Sequence, residues 1–481
     1  MKRIEWILCL ILCFLLILTG CGKKDENELD KNNPVKITVW NYYNGAQLEV
    51  FNDLVDKFNK TVGEEKGIIV ETYSHGSIND LKNNVIDSIN GKAGAEKVPN
   101  IFAAYADTAY EVDKLGKVAD IEEYFTKDEL SEYMDSYIEE GYFTKDGGLK
   151  IFPIAKSTEI LMLNYTDWKK FSEATGTDEN DLSTFEGIAR TAEKYYNWTD
   201  SLTDEPNDGK AFFGRDAMAN YFIIGFRQHG KEIFEVNEDG SVTLNFDEEI
   251  VRKLWDNYYV PYIKGYFASS GRFRSDDIKT GNIISFIGSS SGATFFPKEV
   301  NLNDTESYMI ENEVRECPIF EGQQKAAVQQ GAGMVVIKAS KREEAASLEF
   351  LKWFTQDEQN IEFAVSSGYM PVKKSANDIK KVNKYINTDD DMVQKIVEKG
   401  ISTVKSSSMY TTKAFENATE ARNILEYSLS DKSKADRDTV IKNINDGMTL
   451  EEAEAEFLND ENFKMWYEKT KSELENVVEQ N

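Results

Sequence analysis

Between Pro34 and Tyr105 the apolar residues switch repeatedly between a period of two and a period near 3.6. Val35, Ile37 and Val39 alternate with Lys36, Thr38 and Trp40, the pattern of a strand with one face buried more deeply. Leu48, Phe51, Leu54, Val55 and Phe58 then share one face at helical spacing. A second strand over 68–73 leads through Ser74, His75, Gly76 and Ser77 into an amphipathic segment carrying Leu81, Val85 and Ile89. Pro99 opens a third apolar strand, 100–105, which runs into Ala106, Asp107 and Thr108. Strand and helix alternate, so this region reads as βαβ with a mainly parallel sheet, an α/β fold.

Further on, strands are expected over 160–163, 283–287 and 334–337, each ending near a polar or glycine-rich loop: Lys156-Ser157-Thr158 precedes the first, and Gly288 to Gly292 follows the second. Helical patterns dominate 185–259 and everything from Ile379 onward. Helices are expected over 341–355 and 357–367, the latter stopped by Gly368, and Thr449 with Glu452 forms a capping box. No repeat of twenty to fifty residues is evident. The 481 residues allow two or three domains at roughly 150 residues each, and 41% hydrophobic content is enough to fill their cores.

The charge balance excludes several functions. With 85 Asp+Glu against 56 Lys+Arg the net charge is −29, which opposes a nucleic-acid partner and adhesion of the body to anionic lipid. Only His75 and His229 are present, so His-based metal sites and Ser/His/Asp hydrolysis lack their parts; no metal, no cofactor and no catalytic residue is expected.

The N-terminus reads as a leader. Lys2 and Arg3 precede an apolar run over 6–18, too short to cross a roughly 30 Å hydrocarbon core. It ends in Leu18-Thr19-Gly20-Cys21, which resembles a bacterial lipobox. That resemblance implies removal of residues 1–20, acylation of Cys21 and an extracellular protein held to the cell membrane by its lipid. The polar stretch 21–33 then reads as a flexible tether. Cys9 and Cys13 would leave with the leader, so Cys317 alone remains and no internal disulfide can form.

Four segments resemble the bacterial extracellular solute-binding proteins of ABC importers, in particular the maltose- and glycerol-3-phosphate-binding type. They are Ile37 to Tyr43 with Phe58-Asn59; Pro153 to Leu161 with Asn164; Gly281, the strand after it and Ser289 to Gly292; and Gly331-Ala332-Gly333 with Ala345-Ala346, Phe350 to Trp353 and Gly368 to Val372. The resemblance implies a two-lobed, flytrap-like fold with discontinuous lobes and a helical C-terminal region. The expected first lobe is 34–153 plus 318–370, and the second is 154–317 plus 371–481, with crossings near Pro153, Pro318 and Pro371.

Generic physics also places ligands at the carboxyl ends of strands in open α/β sheets. Together with the resemblance, this implies as ligand-binding residues Tyr42, Ser77, Asp107, Ser157, Ser289, Ser290, Gly331, Tyr369 and Arg422. Tyr42 and Tyr369 offer rings for sugar faces. Asp107 can accept from ligand hydroxyls or cap the next helix. Ser157, Ser289 and Ser290 supply hydroxyls and strand-end amides, or form an ordinary turn. Gly331 would let backbone approach closely. Ser77 stands where the relatives carry an aromatic, and Arg422 matches an arginine that clamps phosphate in them. Lys156 could add charge for an anion.

The expected function is capture of a small polar solute, a sugar or oligosaccharide first and a glycerol-3-phosphate-like polyol second, by a monomer that delivers it to a membrane permease. The alternative of another class is a secreted carbohydrate-active hydrolase using two carboxylates. No nucleophile elbow, metal motif or phosphate loop favours that alternative.

Overall fold

The computed structural model describes residues 29–144, 147–238, 240–386 and 391–479; the leader and Cys21 lie outside them. No described helix is long and apolar enough to cross a membrane.

Eight strands build two four-stranded sheets: β1 (Val35–Asn41), β2 (Ile68–Ser74), β3 (Ile101–Ala104), β4 (Glu159–Asn164), β5 (Phe213–Arg215), β6 (Ser285–Ser289), β7 (Asn312–Glu316) and β8 (Gly333–Val336). The first sheet has the order β8-β3-β1-β2. β1 pairs in parallel with both β2 and β3, as its βαβ pattern requires, and β8 closes the edge antiparallel to β3. The second sheet, β7-β4-β6-β5, is mixed. β4 is antiparallel to both neighbours, and only β5 and β6 run together. No residue pattern distinguishes these cases, because strands buried on both faces read as continuous apolar runs in either direction.

Each sheet has its own core. Helix Gly45–Phe58 turns Phe51, Leu54, Val55 and Phe58 inward, and helices Lys341–Phe354 and Asp357–Ser367 return from far along the chain to cover them. The second helix ends at Gly368 with φ +67°, the left-handed conformation expected of a stop glycine. Around β4 to β6 a second, aromatic-rich core takes in helices Met218–Gln228, Glu248–Ile263, Ala418–Asn445 and Asp460–Glu479. The Thr449–Glu452 capping box forms there.

Core membership also locates the crossings. Ile154 and Ala155 belong to the first core and Leu161 to the second. On the return, Phe320 and Val328 still pack in the second core, and Ala332 and Met334 in the first. Val372, Ala376, Val382 and Ile386 remain in the first core; helix Asp391–Ser406 packs Met392 and Ile396 against the second sheet and Val397, Ile401 and Val404 into the first core, and from Phe415 the chain stays with the second lobe. Pro318 therefore sits away from the return passage, whereas Pro371 directly follows Met370, which is bonded to Lys156 of the first passage. A proline fixes φ and removes one N–H, and neither property decides which lobe a segment joins.

Phe51 is fully buried and faces the rings of Tyr43, Phe354 and Phe363 at 5.1, 5.4 and 6.0 Å. Phe51→Ala would leave a cavity at the point where the returning helices seal the first sheet. A loss of about 3–5 kcal/mol is expected in the unfolding transition of that lobe, read by chemical denaturation.

Candidate functional site

Three segments join the lobes, 155–158, 326–331 and 408–414; the middle one bonds to both of the others, and the first bonds also to Met370. Ser157 and Gln330 exchange two hydrogen bonds, N to O at 2.9 and 2.8 Å. Lys156 and Met370 exchange a second pair, at 3.2 and 2.6 Å. Ala326–Val328 runs parallel to Ser408–Tyr410, and Gln329 N donates to Tyr410 O at 2.9 Å. Buried polar backbone must be paired, and here the pairing builds a stiff floor between the two cores.

Above that floor lies a cavity of about 230 Å³. The first lobe contributes Tyr105, Ala106, Asp107 and Glu140; the second contributes Asn220, Ile223, Phe234 and Arg422; the crossings contribute Gln329 to Gly331 and Thr411 to Phe415. Tyr105 to Asp107 follow directly on β3, so the wall stands at the carboxyl end of a parallel strand, as the topology requires.

Of the residues expected from the sequence, Asp107, Gly331 and Arg422 line this cavity. Asp107 stands in the first turn of helix Ala106–Lys114, whose N-cap is Tyr105. One carboxylate oxygen accepts from the N–H of Thr108 at 2.8 Å, and the other accepts from the hydroxyl of Thr419 on the opposite lobe. Gly331 has φ +99°, and a Cβ there would stand 3.0 Å from both the Ala155 carbonyl oxygen and the Tyr369 ring. Only glycine fits. Arg422 donates from Nη2 to Asn220 Oδ1 at 2.6 Å and has no carboxylate partner among the described residues.

Tyr369 packs beside Gly331, behind the cavity wall. Tyr42 is close to it: burial, reinforced by the Tyr369 and Tyr105 hydroxyls, raises the Tyr42 phenol well above its usual range. Desolvation likewise pushes Tyr105 up to about 12, so at neutral pH its hydroxyl keeps the proton it can donate. Three phenols thus gather at one side of the cleft.

The serines lie elsewhere. Ser77 caps helix Ile78–Ile89, accepting from Asp80 N at 3.1 Å. Ser289 Oγ meets Ser157 Oγ at 3.2 Å, and Ser290 N donates to Thr158 O at 2.8 Å. These last three tie the end of β6 to the first crossing and are turned to each other rather than to the cavity. Lys156 is also committed. Its ammonium, 1% exposed, donates to Glu140 Oε2 at 2.6 Å and to Gly331 O at 2.9 Å.

Sequence reasoning did not single out Glu140, Asn220, Gln329 and Gln330. Two signals could have found three of them: Asn220 is a polar residue in the otherwise apolar run 217–226, and the paired glutamines stand directly before Gly331; nothing local marks Glu140.

A family model for bacterial extracellular solute-binding proteins matches residues 53–389. The chain belongs to that family. A search of curated proteins finds no match. Solved structures share the fold. The cyclic α-maltosyl-1,6-maltose binding protein of Arthrobacter globiformis has a TM-score of 0.66 at 16% identity, over 93% of this chain and 100% of that one. UgpB of Mycobacterium tuberculosis in complex with glycerophosphocholine has a TM-score of 0.67 at 15% identity, over 93% and 99%. An ABC substrate-binding protein of Listeria monocytogenes in complex with cycloalternan has a TM-score of 0.60 at 18% identity, over 92% and 99%. The family makes this chain a bacterial extracellular solute-binding protein, and the solved structures share its two-lobed fold.

The Lys156–Glu140 pair generates a test. Lys156→Met would leave the Glu140 carboxylate charged, enclosed and without its cation, at a cost of about 3–5 kcal/mol. Adding Glu140→Gln should restore part of the loss. Denaturation of the single and double variants checks both, and an unaltered single variant would exclude the pair as a structural tie.

Proposed function

We propose that this solute-binding protein takes a small polyhydroxylated solute, in first place a sugar or short oligosaccharide, into the cleft and hands it unchanged to an ABC permease. The observation that carries the reading is the composition of the cavity wall. Rings from Tyr105, Phe234 and Phe415 stand among hydrogen-bonding groups of Asp107, Asn220, Gln329 and Thr412, drawn from both lobes and the crossings. Apolar faces interleaved with both donors and acceptors suit a ligand that alternates C–H faces and hydroxyls. Solved relatives of the same fold carry maltose, maltotriose and cycloalternan, which supports this choice.

A second reading, a phosphorylated polyol, is favoured by one observation. Arg422 reaches the cavity with only the neutral Asn220 as its described partner, so its charge is free to meet an anion. UgpB, which holds glycerophosphocholine, is among the relatives in fold.

The chain acts in this reading as a monomer without cofactor or catalytic residue, on the extracellular face of the membrane, held by acyl chains on Cys21. Of the predicted contacts, Asp107, Gly331 and Arg422 remain first in line. Tyr42 and Tyr369 form the adjoining aromatic wall, and Ser77, Ser157, Ser289 and Ser290 serve the scaffold.

Titration calorimetry separates the two ligand classes. Tyr369→Ala should weaken either by about 1–3 kcal/mol, roughly tenfold to a hundredfold in Kd. Arg422→Ala should cost about 2–5 kcal/mol if the solute is anionic and about one hydrogen bond if it is neutral. Wild-type affinity in both variants would remove this site assignment, and cleaved products after incubation would bring back the hydrolase.

The anchor has its own test. Cys21→Ser should release the protein from membranes into the medium, read by fractionation; retention on the membrane would exclude acylation at that position.

A further inference from the structure

A line of polar side chains runs from the cavity wall into the second lobe. Arg422 Nη2 donates to Asn220 Oδ1 at 2.6 Å, and Asn220 Nδ2 donates to Glu159 Oε1 at 2.9 Å. Both oxygens of Glu159 accept from Arg215 Nη2, at 3.0 and 3.1 Å. Asn220, Glu159 and Arg215 are 0, 3 and 4% exposed. Three elements supply them. Glu159 opens β4 immediately after the first crossing, Arg215 closes β5, and Asn220 stands in the first turn of helix Met218–Gln228.

The chemistry of the two ends fixes the middle. A carboxylate only accepts and a guanidinium only donates, so the Asn220 amide satisfies both neighbours in one orientation, with its NH2 toward Glu159 and its carbonyl toward Arg422. The flipped amide would set NH2 against guanidinium and oxygen against carboxylate. Glu159 is itself committed to that face by Arg215, whose guanidinium also lies 4.9 Å over the Tyr221 ring. The helix bearing Arg422 is locked to the same place. Glu426, one turn further along it, accepts from the N–H groups of Met218 and Ala219 at 3.1 and 2.9 Å. Arg422 therefore enters the cavity with one edge held and the remaining N–H groups presented.

We propose that Glu159 is a positioning residue for solute recognition: acting through Asn220, it holds the Arg422 guanidinium in the orientation that meets the solute. The inference rests on the reading that the solute binds in this cleft. It accounts for a buried carboxylate at the mouth of a crossing strand, where burial of a charge is costly unless it is paired and hydrogen-bonded.

Two measurements on the full-length chain test it. The first needs no ligand: 15N-arginine spectra, with the Arg422 signals assigned as those missing from Arg422→Lys. Restricted rotation should give separate Nη signals in the wild type, and these should average in Glu159→Gln and in Asn220→Leu. The second variant keeps the Glu159–Arg215 pair, so its effect does not stem from an unpaired buried charge. Arg422 signals unchanged in both variants would overturn the proposal. The second measurement is a double-mutant cycle. Its probe is whichever of maltotriose, glycerophosphocholine and inorganic phosphate raises the melting temperature of the wild type. Arg422→Ala should weaken binding up to about tenfold for a neutral probe and about thirtyfold or more for an anionic one, Glu159→Gln should cost no more than that, and the double variant should bind no more weakly than Arg422→Ala alone. Fully multiplying losses would also overturn the proposal. Wild-type affinity in Arg422→Ala would instead sink the reading of the cleft, while the arginine signals still report on the positioning.

Discussion

The backbone ladder among the three crossing segments is the constraint on which the rest depends. Two separately packed cores meet along a seam where Ser157 bonds Gln330, Lys156 bonds Met370 and Gln329 bonds Tyr410. An unpaired buried N–H or C=O would cost about 1–3 kcal/mol, so each crossing strand needs a partner beside it. That requirement brings together 155–158, 326–331 and 408–414, segments far apart in sequence. It also forces Gly331 into a conformation with φ +99° against the Ala155 carbonyl, and it leaves the space above the seam to side chains. The cavity is a consequence of how the crossings satisfy one another.

Charge is arranged locally against the global balance. The chain carries −29 overall, yet the acidic groups near the cleft are individually committed. Glu140 has the Lys156 ammonium, Glu159 has the Arg215 guanidinium, and Asp107 accepts from Thr419 and from the first turn of its own helix. Arg422 and Lys413 face the cavity without a carboxylate partner among the described residues. Salt at physiological strength screens exposed charges beyond about 8 Å, so the acidic surface attenuates before it reaches a partly enclosed site. A solute inside meets the local arrangement, which offers both a cation and hydrogen-bonding neutral groups.

The fold was legible in the sequence where periodicity was strong. The βαβ start, the helices over 341–354 and 357–367, the stop at Gly368 and the Thr449 cap all follow from spacing and capping chemistry that act within a few residues. Strand direction in the second sheet was not legible, since β4 and β6 are apolar on both faces whichever way they run. For the site, strand-end logic reached Asp107, and the Gly-Ala-Gly segment reached Gly331. It overreached at Ser289 and Ser290, because a hydroxyl at a strand end satisfies a neighbouring turn as readily as a ligand. It missed Asn220 and Glu140, whose importance arises from partners 202 and 16 residues away. Glu140 carries no local signature of its pairing, and Asn220 shows only as a polar residue within an apolar run.

If the solute binds in this cleft as proposed, the same distribution of residues couples binding to closure of the lobes. In this structure the rim is bridged by Asp107 with Thr419 and by Lys114 with Glu416. Lys114 and Glu416 are 52 and 41% exposed, so water and salt weaken their attraction, and such a bridge orients the lobes without fixing them. A deep bias toward closure must come from within. Moving a two-state equilibrium from 1:99 to 99:1 takes about 5.5 kcal/mol of differential affinity. Hydrogen bonds contribute about 0.5–1.5 kcal/mol each, so on the order of five that exist only when both lobes engage the solute suffice. Tyr105 and Asp107 on one wall, Asn220 and Arg422 on the other, and Gln329 and Gln330 from the floor supply that number of groups. A solute that reached only one wall would gain affinity without shifting the lobes, because equal contact with both states moves no population.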